Sequence, residues 1–168
     1  MKFFKIPDLS IFLPALVIYF LGITILLSIA PNLFKTQIFY GLTALFVYYL
    51  FSQIDYHVYS RLNKMFYVLS LTSLLLTFLV GSVTRGSIRW IDLGFIRLQA
   101  SELIKPLMAI FLASSYIKNN YNFKTFLVDS FLYSIILFII LKQPDLGNVV
   151  VFFGIWFAFL FSSGFRPI

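Results

Sequence analysis

Gly81–Lys105 reads GSVTRGSIRWIDLGFIRLQASELIK. It is the longest polar interval between hydrophobic runs, and it gathers Arg85, Arg89, Asp92, Arg97, Glu102 and Lys105. The rest of the chain is apolar enough to sit in lipid. Of 168 residues, 61% are hydrophobic, 20% aromatic and 11% charged, with mean hydropathy +0.96. Soluble domains carry about 25% charged residues, and a small soluble fold leaves much of its surface in water. A chain this greasy needs lipid as its solvent.

Working outward, six apolar runs approach the 20 or so residues that a helix needs to cross the hydrocarbon. They predict helices over about residues 9–30, 37–54, 65–82, 101–117, 126–142 and 146–162. Lipid leaves no backbone polar group unpaired, so the fold class expected is an all-α integral membrane protein. Its architecture is a six-helix polytopic bundle forming one transmembrane domain over residues 1–168. The first run follows Lys2 and Lys5, but it is longer than a signal peptide's apolar core and is expected to be retained. The polar link from Ser52 to Lys64 holds His57, read as a solvated loop histidine.

Net charge is +7, from 13 Lys/Arg against 6 Asp/Glu. The basic residues lie in short connections, where topology and anionic headgroups account for them, so nucleic acid is not an expected partner and membrane lipids are. With the N-terminus in the cytoplasm, Lys2, Lys5, Arg61, Lys64, Lys118, Lys124 and Arg166 are inside. Outside are Lys35, Arg85, Arg89, Arg97, Lys105 and Lys142, which all but Lys35 belong to two motif regions. Those residues read as a functional exception to the positive-inside rule. There is no cysteine and one histidine, which excludes a disulfide framework, a thiolate metal site and a multi-His centre.

Within the opening stretch, Ile88-Arg89-Trp90-Ile91 and Phe95-Ile96-Arg97-Leu98 flank Asp92-Leu93-Gly94. Branched and aromatic residues around an Asp/Gly turn predict a short outer β-hairpin or loop at about 82–100, with Trp90 as an interfacial anchor. Ser101 is placed to cap the next helix. Glu102 and Lys105 share one face of that helix, and Pro106 weakens it beside them. Asp145, reached after three crossings, is expected at the same depth as Lys105 and at a helix N-terminus. Two readings of that pair stand side by side: an ion pair pinning two helices, or the floor of an outward cavity for an anionic headgroup. Arg85 and Arg89 are the natural phosphate contacts, because a guanidinium fork matches phosphate oxygens. Asp92, Glu102 and Asp145 are the outer carboxylates, and spacing selects none of them as a base.

Gly86-Ser87-Ile88-Arg89-Trp90-Ile91-Asp92-Leu93-Gly94, Gln99-Ala100-Ser101-Glu102-Leu103-Ile104-Lys105 and Gln143-Pro144-Asp145-Leu146-Gly147 together resemble the three linked motifs of the RodA/FtsW/SpoVE (SEDS) family. Ser87 and Ala100 stand where the family pattern has Ala and Pro. The Asp145-Leu146-Gly147 ending is more similar to the RodA branch.

The resemblance implies the first part of a ten-helix fold that polymerises lipid II into peptidoglycan in cell-wall synthesis, cell shape or division. It also implies a class B penicillin-binding protein as partner and residence in the bacterial cytoplasmic membrane. Arg89, Glu102, Lys105 and Asp145 would line the outer cavity, with Gly86, Trp90, Gln99, Ser101, Gln143, Pro144 and Gly147 shaping the motifs; Arg85 joins the cavity candidates as a phosphate contact by its own chemistry. The family's catalytic aspartate lies in a later loop, so no catalytic residue is assigned here. A piece ending before that loop is expected to be inactive alone. No cofactor or metal is assigned to this chain; a divalent cation belongs to the expectation for the full-length protein. The rival functions are a flippase for the same lipid-linked precursor and a non-catalytic membrane scaffold.

Overall fold

A computed structural model describes residues 8–84, 87–92, 94, 97–117 and 122–162. The chain divides into two compact units, Met1–Asp55 and Tyr56–Ile168.

The first unit is a helical hairpin. Asp8 caps α1 (Leu9–Ile29), its Oδ1 accepting from the Ser10 N–H at 2.9 Å. Pro14 sits inside α1, and Ala30-Pro31 ends the regular helix. A residue before proline is pushed out of helical conformation, and Pro31 then opens a single 3₁₀ turn, Pro31–Leu33, where its missing N–H costs nothing. That turn runs straight into α2 (Phe34–Ser52), so α2 begins three residues before the apolar run suggested. The hairpin buries little: Ile23 in α1 and Gly41 in α2.

The second unit holds the core. The polar link includes a short helix, α3 (Tyr56–Arg61), which packs against α5 and has Arg61 in its last turn, where a cation suits the helix dipole. It is followed by α4 (Asn63–Val80), a small sheet, α5 (Ala100–Ile117), α6 (Phe123–Lys142) and α7 (Leu146–Ser162). Buried residues recur at helical spacing: Phe66, Ser70, Leu74 and Thr77 on α4; Ala100, Ile104, Met108, Phe111 and Leu112 on α5; Asp129, Tyr133, Ile136 and Ile140 on α6. These faces meet in one cluster with Phe152 of α7. Several polar side chains inside it find partners across or along the helices. Ser70 and Thr77 donate to carbonyls four residues back. Tyr67 Oη donates to the Leu132 carbonyl at 3.1 Å, and Tyr133 Oη to the Phe152 carbonyl at 2.8 Å, tying α6 to α4 and α7.

The expected hairpin is a three-stranded antiparallel sheet in the order β1 (Ser82–Thr84), β2 (Ser87–Asp92), β3 (Arg97–Gln99). Gly94 takes a φ of +84° in the turn, a region that glycine enters without steric cost. The β1–β2 register shifts: Ser82 pairs with Trp90 but Val83 with Ile88. Two steps on β2 match one on β1, so Arg89 is the extra residue of a bulge.

Four helices, α1, α4, α5 and α6, are each long and apolar enough to cross a bilayer, and α7 is apolar over 17 residues. The chain is an all-α, multi-pass membrane protein whose second unit carries a small sheet.

Candidate functional site

The site forms where the sheet meets the break between α6 and α7. Gln143 closes α6, its N–H donating to the Ile139 and Ile140 carbonyls. Pro144 cannot extend the helix, and α6 ends at Lys142 just before it. Gln143 turns inward, 2% exposed, and its Nε2 donates to the Leu74 carbonyl of α4 at 3.3 Å. Asp145 then opens α7, its Oδ1 accepting from the Asn148 N–H at 3.3 Å, as an N-cap carboxylate does.

Asp145 is the centre of the site. It is 5% exposed and takes donors from three further groups: Gln99 Nε2 to Oδ2 at 2.8 Å, Asn148 Nδ2 to Oδ2 at 2.9 Å, and Arg89 Nη1 to Oδ1 at 3.4 Å. Asn148 Nδ2 also donates to Ser101 Oγ at 3.1 Å. Strands β2 and β3, helix α5 and helix α7 thus converge on one carboxylate. Bulges re-aim side chains next to functional sites, and the bulge at Arg89 provides that geometry here. Burial pushes the Asp145 carboxyl up. The Asn148 side-chain and backbone hydrogen bonds, the Arg89 charge and the Gln99 bond outweigh it, and the carboxyl stays below its ordinary value.

The expected Lys105–Asp145 pair is not formed. Lys105 Nζ reaches Glu102 Oε1 at 2.7 Å on its own helix, a partner one turn away that needs no long-range alignment. Asp145 has Arg89 instead. Ser101, expected as a helix cap, lies one residue inside α5, which starts at Ala100, and its oxygen accepts from Asn148. Trp90 is half-buried in the sheet, with its carbonyl accepting from Ser82 Oγ at 3.2 Å. A Cβ on Gly147 would lie 3.9 Å from Asp145 Oδ1, an ordinary contact, so glycine is not demanded by space there. Arg85 and Gly86 lie outside the described residues. Asn148 was not singled out in the sequence; the only signal was an amide in the first turn of a helix, at a position where it has no propensity advantage.

Neither described outer acid on the loops is tuned as a base. Asp92 is held below the usual carboxylate range by the Gly94 N–H at 2.9 Å and then by Arg97 at 3.0 Å. Asp145 is lowered too, so both are anchors for cations. Among the described residues no three His, Cys, Asp or Glu side chains converge to hold a metal ion. The donors around Asp145 are its hydrogen-bond partners, so this set does not fit a divalent cation and no step is derived through one.

What remains for recognition is Arg89. Its side chain is 29% exposed while Asp145 behind it is 6%. A partly exposed guanidinium beside a buried carboxylate has the charge and shape to meet an anion with planar or tetrahedral oxygens.

The sequence matches the FtsW/RodA/SpoVE family, described as "Cell cycle protein", over residues 2–168. The chain belongs to that family. Among curated relatives, it is 31% identical over 134 residues to the "Probable peptidoglycan glycosyltransferase FtsW" of Buchnera aphidicola subsp. Baizongia pistaciae, covering 77% of this chain and 35% of that protein. Proteins of the same name from Nitrosococcus halophilus and Escherichia coli O157:H7 are 36% and 35% identical over 115 and 99 residues, covering 64% and 56% of this chain and 29% and 24% of theirs. The match to the FtsW relatives therefore spans about a third of their length or less.

Proposed function

We propose that this chain supplies the N-terminal helices of a RodA-like peptidoglycan glycosyltransferase that polymerises lipid II, and that its Arg89 site holds the lipid-linked pyrophosphate. The observation that carries this reading is the partly exposed Arg89 guanidinium paired with the buried Asp145 carboxylate. Developing charge on a diphosphate leaving group is stabilised by pre-positioned cations, which need no reorganisation at the moment of reaction. Glu102 and Lys105 on α5 are proposed as the site's helix wall, and the proposed role of Arg85 falls outside the described residues. The proposal assigns the chemical base to no residue of this sequence, and the 168-residue chain is proposed to bind without polymerising.

The family membership and the relatives' names support the reaction class. The RodA branch rests on Asp145-Leu146-Gly147, whereas the relatives bear the FtsW name; complementation of cells depleted of one or the other separates the two. The proposal places the protein in the bacterial cytoplasmic membrane, N-terminus inside, beside a class B penicillin-binding protein. A flippase for the same precursor would be favoured by a polar Lys105–Asp145 pair along a path through the helices, and those two residues pair elsewhere.

The test is binding of undecaprenyl pyrophosphate to the full chain in nanodiscs of zwitterionic lipid. Arg89→Ala is expected to weaken binding at least tenfold, the scale of a charge-assisted contact. Equal binding by wild type and Arg89→Ala would remove the site. Glycan strands made from lipid II by this chain alone would overturn the binding-only part.

A further inference from the structure

We infer that Asn148 is a positioning residue for the Arg89 anion site, its carboxamide fixing the carboxylate that holds the guanidinium in place. This inference rests on the proposed binding role of Arg89.

The geometry separates two tasks at the start of α7. Capping the helix needs only the Asn148 backbone N–H, which reaches Asp145 Oδ1. The side chain does something else. One Nδ2 hydrogen goes to Asp145 Oδ2 at 2.9 Å and the other direction of the same amide to Ser101 Oγ at 3.1 Å. Both donors are used, and both are buried, Asn148 being 7% and Ser101 1% exposed. The amide therefore references Asp145 to α5 as well as to α7.

That reference fixes which oxygen faces the sheet. Oδ2 is claimed by Asn148 and Gln99, leaving Oδ1 toward Arg89. At 3.4 Å the Arg89 contact is the longest of the set, so it is the one most sensitive to a rotation of the carboxylate. Without the amide, Asp145 keeps its burial and loses a donor, which favours the neutral acid. A neutral Asp145 no longer holds Arg89 by charge.

Chemistry restricts what can replace Asn148. Alanine removes both bonds but leaves the backbone cap. Aspartate places a carboxylate oxygen against Asp145 Oδ2, and two such groups share a proton before both ionise. Of the charged groups on the packed elements, Asp92 pairs with Arg97, Glu102 with Lys105, and Lys142 lies over the Phe138 ring at 5.2 Å, while Lys64 on α4 and Lys124 and buried Asp129 on α6 stand several helical turns from Asp145. Gln99 and Ser101 carry no charge. The pH response should therefore belong to the Asp145–Arg89–residue 148 group and to the ligand, whose own titration is common to every variant.

The experiment is binding of undecaprenyl pyrophosphate to the full chain in zwitterionic nanodiscs between about pH 4 and about pH 8. Asn148→Ala is expected to weaken binding about tenfold at neutral pH and to move the acid limb up by about one unit. Asn148→Asp is expected to bind poorly at neutral pH and to recover on acidification, when a shared proton restores a hydrogen bond; this sign is opposite to that of Asn148→Ala. A role in folding alone would give neither pH signature. If Asn148→Ala does not fold, recovery of Asn148→Asp on acidification carries the test, and no recovery sinks the inference. Wild-type affinity and acid limb in Asn148→Ala also sink it, provided Arg89→Ala has lost binding. If Arg89→Ala binds like wild type, the underlying anion site fails instead.

Discussion

The α1–α2 hairpin and the α4–α7 unit are both built from apolar helices, yet they use them differently. In α1 the mean hydropathy of the central window is 2.4 and 6% of that window is buried; in α5 the figures are 1.2 and 44%. The more hydrophobic helix is the less enclosed one. In water the order would be reversed, because apolar surface is what water drives inside. In lipid that drive is absent between helices, and association depends on packing and on polar groups that need partners. The polar residues of the second unit, Ser70, Thr77, Ser101, Asp129, Gln143, Asp145 and Asn148, are accordingly buried. Polarity marks the interior here.

If that contrast is right, the largest stability loss should come from removing the charge at the centre of the second unit. Asp145→Ala leaves Arg89, Gln99 and Asn148 without their common acceptor, at a cost of about 3–5 kcal/mol. Thermal unfolding in detergent measures it, and a loss under 1 kcal/mol would break the comparison. The pH dependence has a definite sign. Because the folded-state carboxyl lies below its ordinary 3.8, its stabilisation is fully present above that value and is lost as pH falls through the lower, folded-state value.

Two glycines offer a smaller and sharper version of the same contrast. A Cβ on Gly81, between α4 and β1, would collide with the Thr77 backbone carbonyl and the Ile88 side chain. Backbone in a packed junction cannot step aside, so Gly81→Ala should cost about 1–3 kcal/mol. A Cβ on Gly41 would meet only the tip of the Tyr19 ring. That ring can swing toward lipid, losing the Tyr19 Oη bond to the Gln37 carbonyl at 3.0 Å, for about 1 kcal/mol. Equal losses at the two glycines would show that the hairpin is as tightly specified as the core. Tyr133→Phe falls in the same range, about 1 kcal/mol, since it removes the buried bond to the Phe152 carbonyl and leaves the ring packed.

Much of this architecture was legible in the sequence, for reasons that also show where legibility ends. Apolar runs long enough for lipid announce helices, and Ile88 to Leu98 around Asp92-Leu93-Gly94 announces a turn between strands. Asp145 stands out in the sequence as a candidate because a carboxylate beside an apolar helix needs a reason. Its partner was not identifiable. Equal depth pointed to Lys105, but pairing is decided by helical phase and by strand register, and the bulge that brings Arg89 over Asp145 leaves no mark in composition. Asn148 escaped because one amide in a first turn is common, and only the position of Ser101 on another helix gives it meaning. Neither Asp129 nor α3 carried a signal strong enough to set it apart from its surroundings.

The smallest predicted effect tests that failure directly. Glu102 and Lys105 are joined at 2.7 Å, but Glu102 is 52% exposed and both residues stand on one helix. Pairs of this kind contribute about 0–1 kcal/mol, so Lys105→Ala should change stability little in detergent. A double-mutant cycle between Lys105→Ala and Asp145→Ala should give a coupling within about 0.5 kcal/mol of zero, as for sites without shared partners. The cycle between Arg89→Ala and Asp145→Ala should give clear non-additivity, because each single change strands the other charge. The two cycles share the Asp145 variant, so any global loosening caused by Asp145→Ala enters both and cancels from their difference. Strong coupling of Asp145 to Lys105, with none to Arg89, would return the site to the pairing that depth alone suggested.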